Sequence, residues 1–317
     1  KGLTNCSTTA AGMLSPYCEL IHSDKKIFDL GCDSIYRWKK IINELEMKVY
    51  FKIKGSLIVG NKEHIAELDS ICSRTNKYTN ANIKIIKSKR ISALEPDIDS
   101  DDLIGLLFKE EGQIDCKQII NILINFLQTN SCSINFKAEV KNIQNNSVIL
   151  DNNKKIKFDH VIECAGLHSL NNKRIRAVRG EIIEVYAPEI KISRPIRLNH
   201  FRYPVYIAPR ENGTYLIGAT EIESEDFSPV SIRSAIELLN SSIVISKRFS
   251  EARIITLSSN CRPAYSDNLP KIIIRKDYIS ANGLFRHGYL LSPLVADLVV
   301  DYCLKDKKDK KLDYIYN

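Results

Sequence analysis

The sequence predicts a mixed α/β fold of about two domains. Three observations carry this: 317 residues at roughly 150 per domain; segments whose apolar residues recur at spacings of three and four; and, from Asn135 onward, short β-branched runs separated by Asn-rich turns. With 44% hydrophobic and 26% charged residues and a mean hydropathy of -0.18, the composition is that of a globular chain. Its apolar runs fall well short of the roughly eighteen residues of a membrane span.

Element by element, the small-residue segment Ser7–Pro16 (STTAAGMLSP) centres on Gly12, which lets backbone approach a flat ligand closely. A small-residue turn packed on a helix fits that segment equally well. In 28–46, Ile35, Trp38, Ile41, Ile42 and Leu45 predict an amphipathic helix, followed by a strand at 55–59. Asn61 opens a second helix to about Ser73, and Asp115 caps a third, whose Ile, Leu and Phe residues from Ile119 to Leu127 predict burial on more than one side. The runs FKAEVKNIQ, SVILD and KIKFDHVIECAG predict a meander ending in a buried strand. Runs at 178–187, 205–210 and 214–219 predict a second sheet, the last two joined as a hairpin through Glu211-Asn212-Gly213. A helix is expected over 229–246, a strand at ARIITLS, and a final helix to about Leu304 with Pro293 in its first turn, where a missing N–H costs nothing.

The net charge of +8 does not point to nucleic acid. Lys305–Lys311 (KDKKDKK) supplies +3 of it, and no aromatic residues interleave the basic ones there. The nine cysteines contain no C-x-x-C pair and fit neither a zinc site nor a disulfide framework, so reduced thiols in a cytoplasmic protein are expected. Small-molecule partners follow.

Two further features bear on chemistry. Asp159–Gly166 (DHVIECAG) reads as a strand ending in Ala165-Gly166, the place where open α/β sheets form a nucleotide crevice; an ordinary buried strand and turn is the alternative. Arg262 and Arg286 lie in apolar, Gly- and Pro-containing surroundings. Arginine is rarely buried unpaired, so either the two capture a substrate carboxylate through a planar fork, or they form ion pairs with Asp267 or Glu181.

Taken together and in this order, STTAAGMLSP, EGQIDCKQI, FDHVIECAGLHS, VRGEIIEV, YIAPRENGTYLIGAT, RPAYSDNLP and GLFRHGYLLSP resemble the FAD-dependent amine oxidases of the D-amino-acid oxidase superfamily, most closely the glycine oxidases of thiamine biosynthesis. The resemblance implies an FAD-binding Rossmann-like domain interleaved with an antiparallel-sheet substrate domain. The first would use about 1–51, 104–172 and 252–317, the second 52–103 and 173–251. It also implies FAD-dependent oxidation of glycine or another small amino acid or amine to an imine, with molecular oxygen as acceptor. A homo-oligomer is compatible with it.

By position, the resemblance places Cys6, Ser7, Ala11, Gly12, Met13, Ala165 and Gly166 along the flavin and its pyrophosphate, and Val140 at the adenine. Leu284, Phe285, Arg286, His287, Gly288, Tyr289 and Leu290 would cover the flavin ring. Arg262 would clamp the substrate carboxylate, with Tyr206 and Arg286 beside it. Pro204 and Glu221 stand where relatives carry His and Met. The family's opening β-α-β unit, with its G-x-G-x-x-G turn for the pyrophosphate, has no counterpart in 1–317. The FAD domain is therefore expected to be short at its N-terminus, and the chain as given to bind FAD weakly. Two other readings stand beside this one: a related FAD oxidoreductase acting on another amine, modified tRNA included, and a truncated non-catalytic remnant.

Overall fold

The computed structural model describes residues 5–316 apart from 21–24, 47, 80, 171, 173, 200–203, 306 and 310–311, and the His64 side chain also falls outside it. Its dominant feature is a nine-stranded sheet. The strands run in the order Ile222–Glu223, Arg176–Tyr186, Thr214–Gly218, Val205–Pro209, Ile196–Leu198, Ser56–Asn61, Leu103–Phe108 and Ile85–Lys87, with Arg253–Ala264 also paired to Arg176–Tyr186. Neighbours are antiparallel except Ile196–Leu198 against Ser56–Asn61. Strand 253–264, and strand 103–108 beyond Leu103, come from segments that the sequence groups with the FAD-binding unit.

The hairpin formed as its turn chemistry predicts. Val205–Pro209 and Thr214–Gly218 pair with Ile207 opposite Ile217, and Asn212 and Gly213 take φ of 57° and 71°, the left-handed region that Asn and Gly tolerate. The inward residues Leu57, Val59, Ile183, Ile196, Ile207 and Ile217 are fully buried. Leu238 and Ile245 of the helix Ile232–Ile245 cover them, with Ser231 capping that helix through the Ser234 N–H.

Three smaller sheets flank this layer. Met13–Leu14 and Phe51–Lys52 lie either side of Gly112–Ile114. Ile279–Asn282 pairs in parallel with Ile162–Glu163 and antiparallel with Lys271–Ile274. The predicted meander is Val140–Gln144, Ser147–Leu150 and Lys155–Lys157. It does not end in a buried strand, since Ile162 is exposed and only its neighbours Val161 and Glu163 are buried. The Ile162 side chain lines the cavity described below and so is not covered by packing.

The first long helix, Lys25–Glu44, starts three residues earlier than its apolar spacing suggests, because Ile27, Phe28 and Leu30 also bury. Its outer face carries the i,i+4 pairs Lys25–Asp29, Asp33–Arg37 and Lys40–Glu44. Asp115 caps Cys116–Thr129 as expected. That helix is not buried on several sides, however: Phe126 and Leu127 are exposed, and only Cys116 and Ile119 are buried.

The last helix corrects another expectation. It spans Gly288–Lys305, so Pro293 lies inside it and not in its first turn. Proline leaves the carbonyl four residues back without its helical donor. Here that carbonyl belongs to Tyr289, and the Trp38 indole N–H donates to it at 2.6 Å. The break is thereby satisfied by the neighbouring helix, and Gly31 lets the two helices approach against Leu290.

Candidate active site

One cavity of about 740 Å³ lies between the nine-stranded sheet and the smaller sheets, within the usual size of small-molecule and cofactor sites. Of the residues singled out by sequence, Cys6, Ser7, Ala11, Gly12, Met13, Gly166, Leu284, Phe285, Arg286, Gly288 and Tyr289 line it, as do Tyr206 and Arg262. Ala165 opens the short turn Gly166–His168 beside the wall. His287 and Leu290 are buried behind it. Val140 is not brought to the cavity; it packs in a separate cluster with Ile143, Val161 and Tyr278.

The loop 5–13 is held rigidly. Asn5 and Thr8 form a reciprocal cap on the turn Cys6–Thr9. Gly12 has φ of 62°, and a Cβ there would strike the Ile114 carbonyl, so this position requires glycine on both counts. Arg210, at the end of a hairpin strand, donates to the Ala11 carbonyl. Beneath the following turn, the buried Glu111 accepts from the Cys18 N–H at 2.9 Å and the Cys18 thiol at 3.1 Å, and also from Ser56. Burial raises the Glu111 carboxyl above its ordinary value.

Arg262 meets the description of an unused clamp. Neither sequence-predicted ion pair forms: Glu181 is held by Arg179 at 2.7 Å, and Asp267 by Lys271 at 2.7 Å. The Arg262 guanidinium instead donates to backbone carbonyls, of Thr220 at 3.1 Å and Arg179 at 3.5 Å. Among the described residues no carboxylate lies within ion-pair distance of it. Burial lowers its pKa, the mark of a cation whose protein partners do not compensate its desolvation. Tyr206, on a strand facing Gly218, stands nearby, and burial raises its phenol.

Gly180 explains how the guanidinium lies flat. A Cβ at this position would fall inside the Arg262 fork. Gly180→Ala is therefore expected to displace only the mobile end of a side chain, leaving the melting temperature within about 2 °C while raising KM for a carboxylate substrate about tenfold or more. Parallel melts and steady-state kinetics check this; a large loss of stability with unchanged KM would refute it.

Arg286 behaves differently. Its Nε and Nη2 both lie 2.9 Å from Glu19, and Nη1 lies 3.1 Å from Glu221. The structure thus brings Arg286 to the cavity wall with its fork already engaged. Glu19 is fully enclosed, also facing Arg197 at 3.5 Å and His287 Nδ1 at 3.4 Å. Burial alone would raise the Glu19 carboxyl, but Arg286, His287 and Arg197 outweigh it and hold it at about 2. Sequence reasoning missed Glu19 and Arg197. The signal available was a charged residue inside an otherwise apolar run, in SPYCEL and PIRL.

His287 is buried, and neither ring nitrogen has a hydrogen-bond partner. Burial, opposed by Glu19 but assisted by the three arginines, lowers its pKa from 6.5 to about 4. The ring is therefore neutral near pH 7 and unsuited to act as a charged group. The unfolded chain protonates this ring as pH falls through 6.5 while the native one does not, so stability is lost progressively from pH 6.5 to 4, by about 3 kcal/mol. His287→Gln should flatten the melting temperature across that window; an unchanged slope would count against a neutral buried ring.

The described cysteines are free thiols. No helix among the described residues is long and apolar enough to cross a membrane.

The cavity walls suit a flavin. Close-packed backbone at Gly12, apolar faces from Ile119, Leu123, Val295 and Val299, and the turn Phe285–His287 leading into a long helix surround one continuous space. Comparison with known proteins agrees. The sequence profile of the DAO family, described as FAD dependent oxidoreductase, matches residues 2–302. A putative thiamine biosynthesis oxidoreductase ThiO of Rhizobium etli is 31% identical over 94% of this chain and 85% of its own length. A bifunctional ThiO/ThiG protein of Synechocystis is 24% identical over 95% of this chain, which spans 46% of that longer protein. Among solved structures, glycine oxidase from Geobacillus kaustophilus superposes with a TM-score of 0.86 at 20% identity, covering 97% of this chain and 86% of that one. Iminodiacetate oxidase from Chelativorans gives a TM-score of 0.86 at 18% identity, covering 98% and 89%.

Proposed function

The chain belongs to the DAO family of FAD dependent oxidoreductases, and from that premise we propose that it oxidises the amine of glycine or another small amino acid, with oxygen as final acceptor, in supply of thiamine biosynthesis. The observation that supports this most is Arg262: a guanidinium in a cavity wall, without a carboxylate partner among the described residues, oriented by two backbone carbonyls. The names of the ThiO relatives support the pathway, and the likeness to glycine oxidase extends over nearly the whole fold.

In this reading Arg262 receives the substrate carboxylate in a bidentate fork, and Tyr206 adds its hydroxyl beside it. FAD supplies the two-electron acceptor when bound. Cys6, Ser7, Ala11, Gly12, Met13, Ala165 and Gly166 would hold it from one side and Leu284–Leu290 from the other. The apolar walls exclude water, and the fixed fork sets where the substrate Cα sits. Positioning is the main contribution of the chain, since no neutral-pH base is required of His287.

The test is glycine-dependent release of ammonia and peroxide by flavin-loaded enzyme. Turnover of glycine above that of methylamine, which lacks the carboxylate, is expected. Equal turnover of the two would overturn the assignment of an amino-acid substrate.

A further inference from the structure

The cavity carries an uneven set of charges. Among the described residues, three guanidinium groups line it, of Arg197, Arg262 and Arg286, with two carboxylates, of Glu19 and Glu221. Arg286 is clasped by both carboxylates. Arg197 leans on Glu19 at 3.5 Å and is otherwise enclosed, its Nε without a partner. Arg262 alone has no acidic partner within the wall. Among these lining groups the formal excess is a single positive charge, carried by Arg262; behind the wall the buried Glu111 faces Arg197 as well.

That excess sets how many negative charges a ligand can bring. One carboxylate on Arg262 pairs the one lining guanidinium, among the described residues, that has no acid of its own. A second carboxylate finds no accessible guanidinium: the Arg286 fork is engaged, Glu19, which holds it, is buried beneath, and the Arg197 side chain is only 6% exposed against Glu19. Like charges brought together in a partly desolvated site cost several kcal/mol. Glu221 is the more exposed of the two wall carboxylates, with its side chain 35% accessible against 7% for Glu19. It directly follows Thr220, whose carbonyl orients Arg262. It is therefore the carboxylate that an incoming ligand meets.

We propose that Glu221 is a specificity-determining residue that confines the site to monocarboxylates, by occupying Arg286 Nη1 and by repelling a second carboxylate on the ligand. The inference rests on the reading of this cavity as the carboxylate-substrate pocket. It deepens that reading by excluding dicarboxylic amino acids and N-carboxymethyl amines.

Calorimetric titration of the flavin-loaded enzyme with glycolate, the hydroxy analogue of glycine, and with hydroxymalonate, the same molecule with a second carboxylate, tests it without turnover. Wild type should bind glycolate at least about tenfold more tightly. Glu221→Gln should lower that preference about tenfold by freeing Arg286 Nη1 and removing the repulsion, while Glu221→Asp, which keeps the charge, should retain most of it. A preference unchanged in Glu221→Gln, or absent in wild type, overturns the proposal. Glycine oxidation measured alongside separates the two failures. Turnover with an unmoved preference removes only the role of Glu221, whereas no glycolate binding and no glycine turnover in wild type removes the function reading and this inference with it.

Discussion

Arg262→Ala is expected to lower kcat/KM for glycine by roughly two to four orders of magnitude while leaving the melting temperature unchanged or slightly raised. The first half follows from geometry. A substrate carboxylate carried into the cavity without Arg262 would meet only the engaged guanidinium of Arg286 and the half-paired Arg197, and an unpaired charge there costs about 3–5 kcal/mol. The second half follows from the absent ion pair. Arg262 donates only to the Thr220 and Arg179 carbonyls, each worth about 1.5–3 kcal/mol at most against the desolvation of the cation, so little native stability depends on it. Arg262→Lys should recover part of the loss, since a point charge attracts the carboxylate but cannot reproduce the fork. Steady-state kinetics with glycine and methylamine, beside thermal melts, decide the matter. Normal glycine kinetics in a folded Arg262→Ala enzyme would remove Arg262 from the site, and with it the main support for an amino-acid substrate.

The parts of this site that sequence reveals are those built from contiguous segments. The loop around Gly12, whose residues alone fit an ordinary packed turn equally well, and the turn at Leu284–Leu290 are reached through a family resemblance that contiguous motifs carry. The hairpin at Glu211-Asn212-Gly213 and the cap at Asp115 are likewise written within four residues. What stays hidden depends on partners far along the chain. Glu19 meets Arg197 and Arg286 across separations of 178 and 267 residues, and nothing near SPYCEL announces them. Pro293 misleads for the same reason: the indole that makes a mid-helix proline tolerable is Trp38, on a helix more than 200 residues earlier. The helix Cys116–Thr129 shows the converse, where local hydrophobicity overstates burial: Cys116 and Ile119 join the interior, while Phe126 and Leu127, equally apolar, face outward.

Replacing Glu19 should produce the largest stability loss of any single change at the site. Glu19 is the one fully enclosed carboxylate under three cationic or protonatable groups. Glu19→Gln leaves Arg197 and Arg286 facing each other across a neutral amide, with Glu221 the only acid left on the wall among the described residues. Removing one partner of such a buried set costs about 3–5 kcal/mol. At the roughly 2–4 °C per kcal/mol of a chain somewhat shorter than this one, the melting temperature should fall by about 6–20 °C at pH 7. The sign of the pH dependence gives a second readout. Because the native Glu19 pKa is lowered from 4.5 to about 2, its contribution is fully present above pH 4.5 and lost as pH falls from 4.5 to 2. The difference between wild type and Glu19→Gln should therefore be constant from pH 7 to 5 and shrink below 4.5, mostly below the 6.5 to 4 window that His287 controls. A purely steric role for Glu19 would give a difference independent of pH. Arg286 should also loosen from the wall once its Nε and Nη2 acceptor is an amide, so substrate KM should rise in Glu19→Gln measured well below its melting point; wild-type KM together with a pH-independent stability loss would show that Glu19 neither carries the charge balance of the cavity nor positions Arg286.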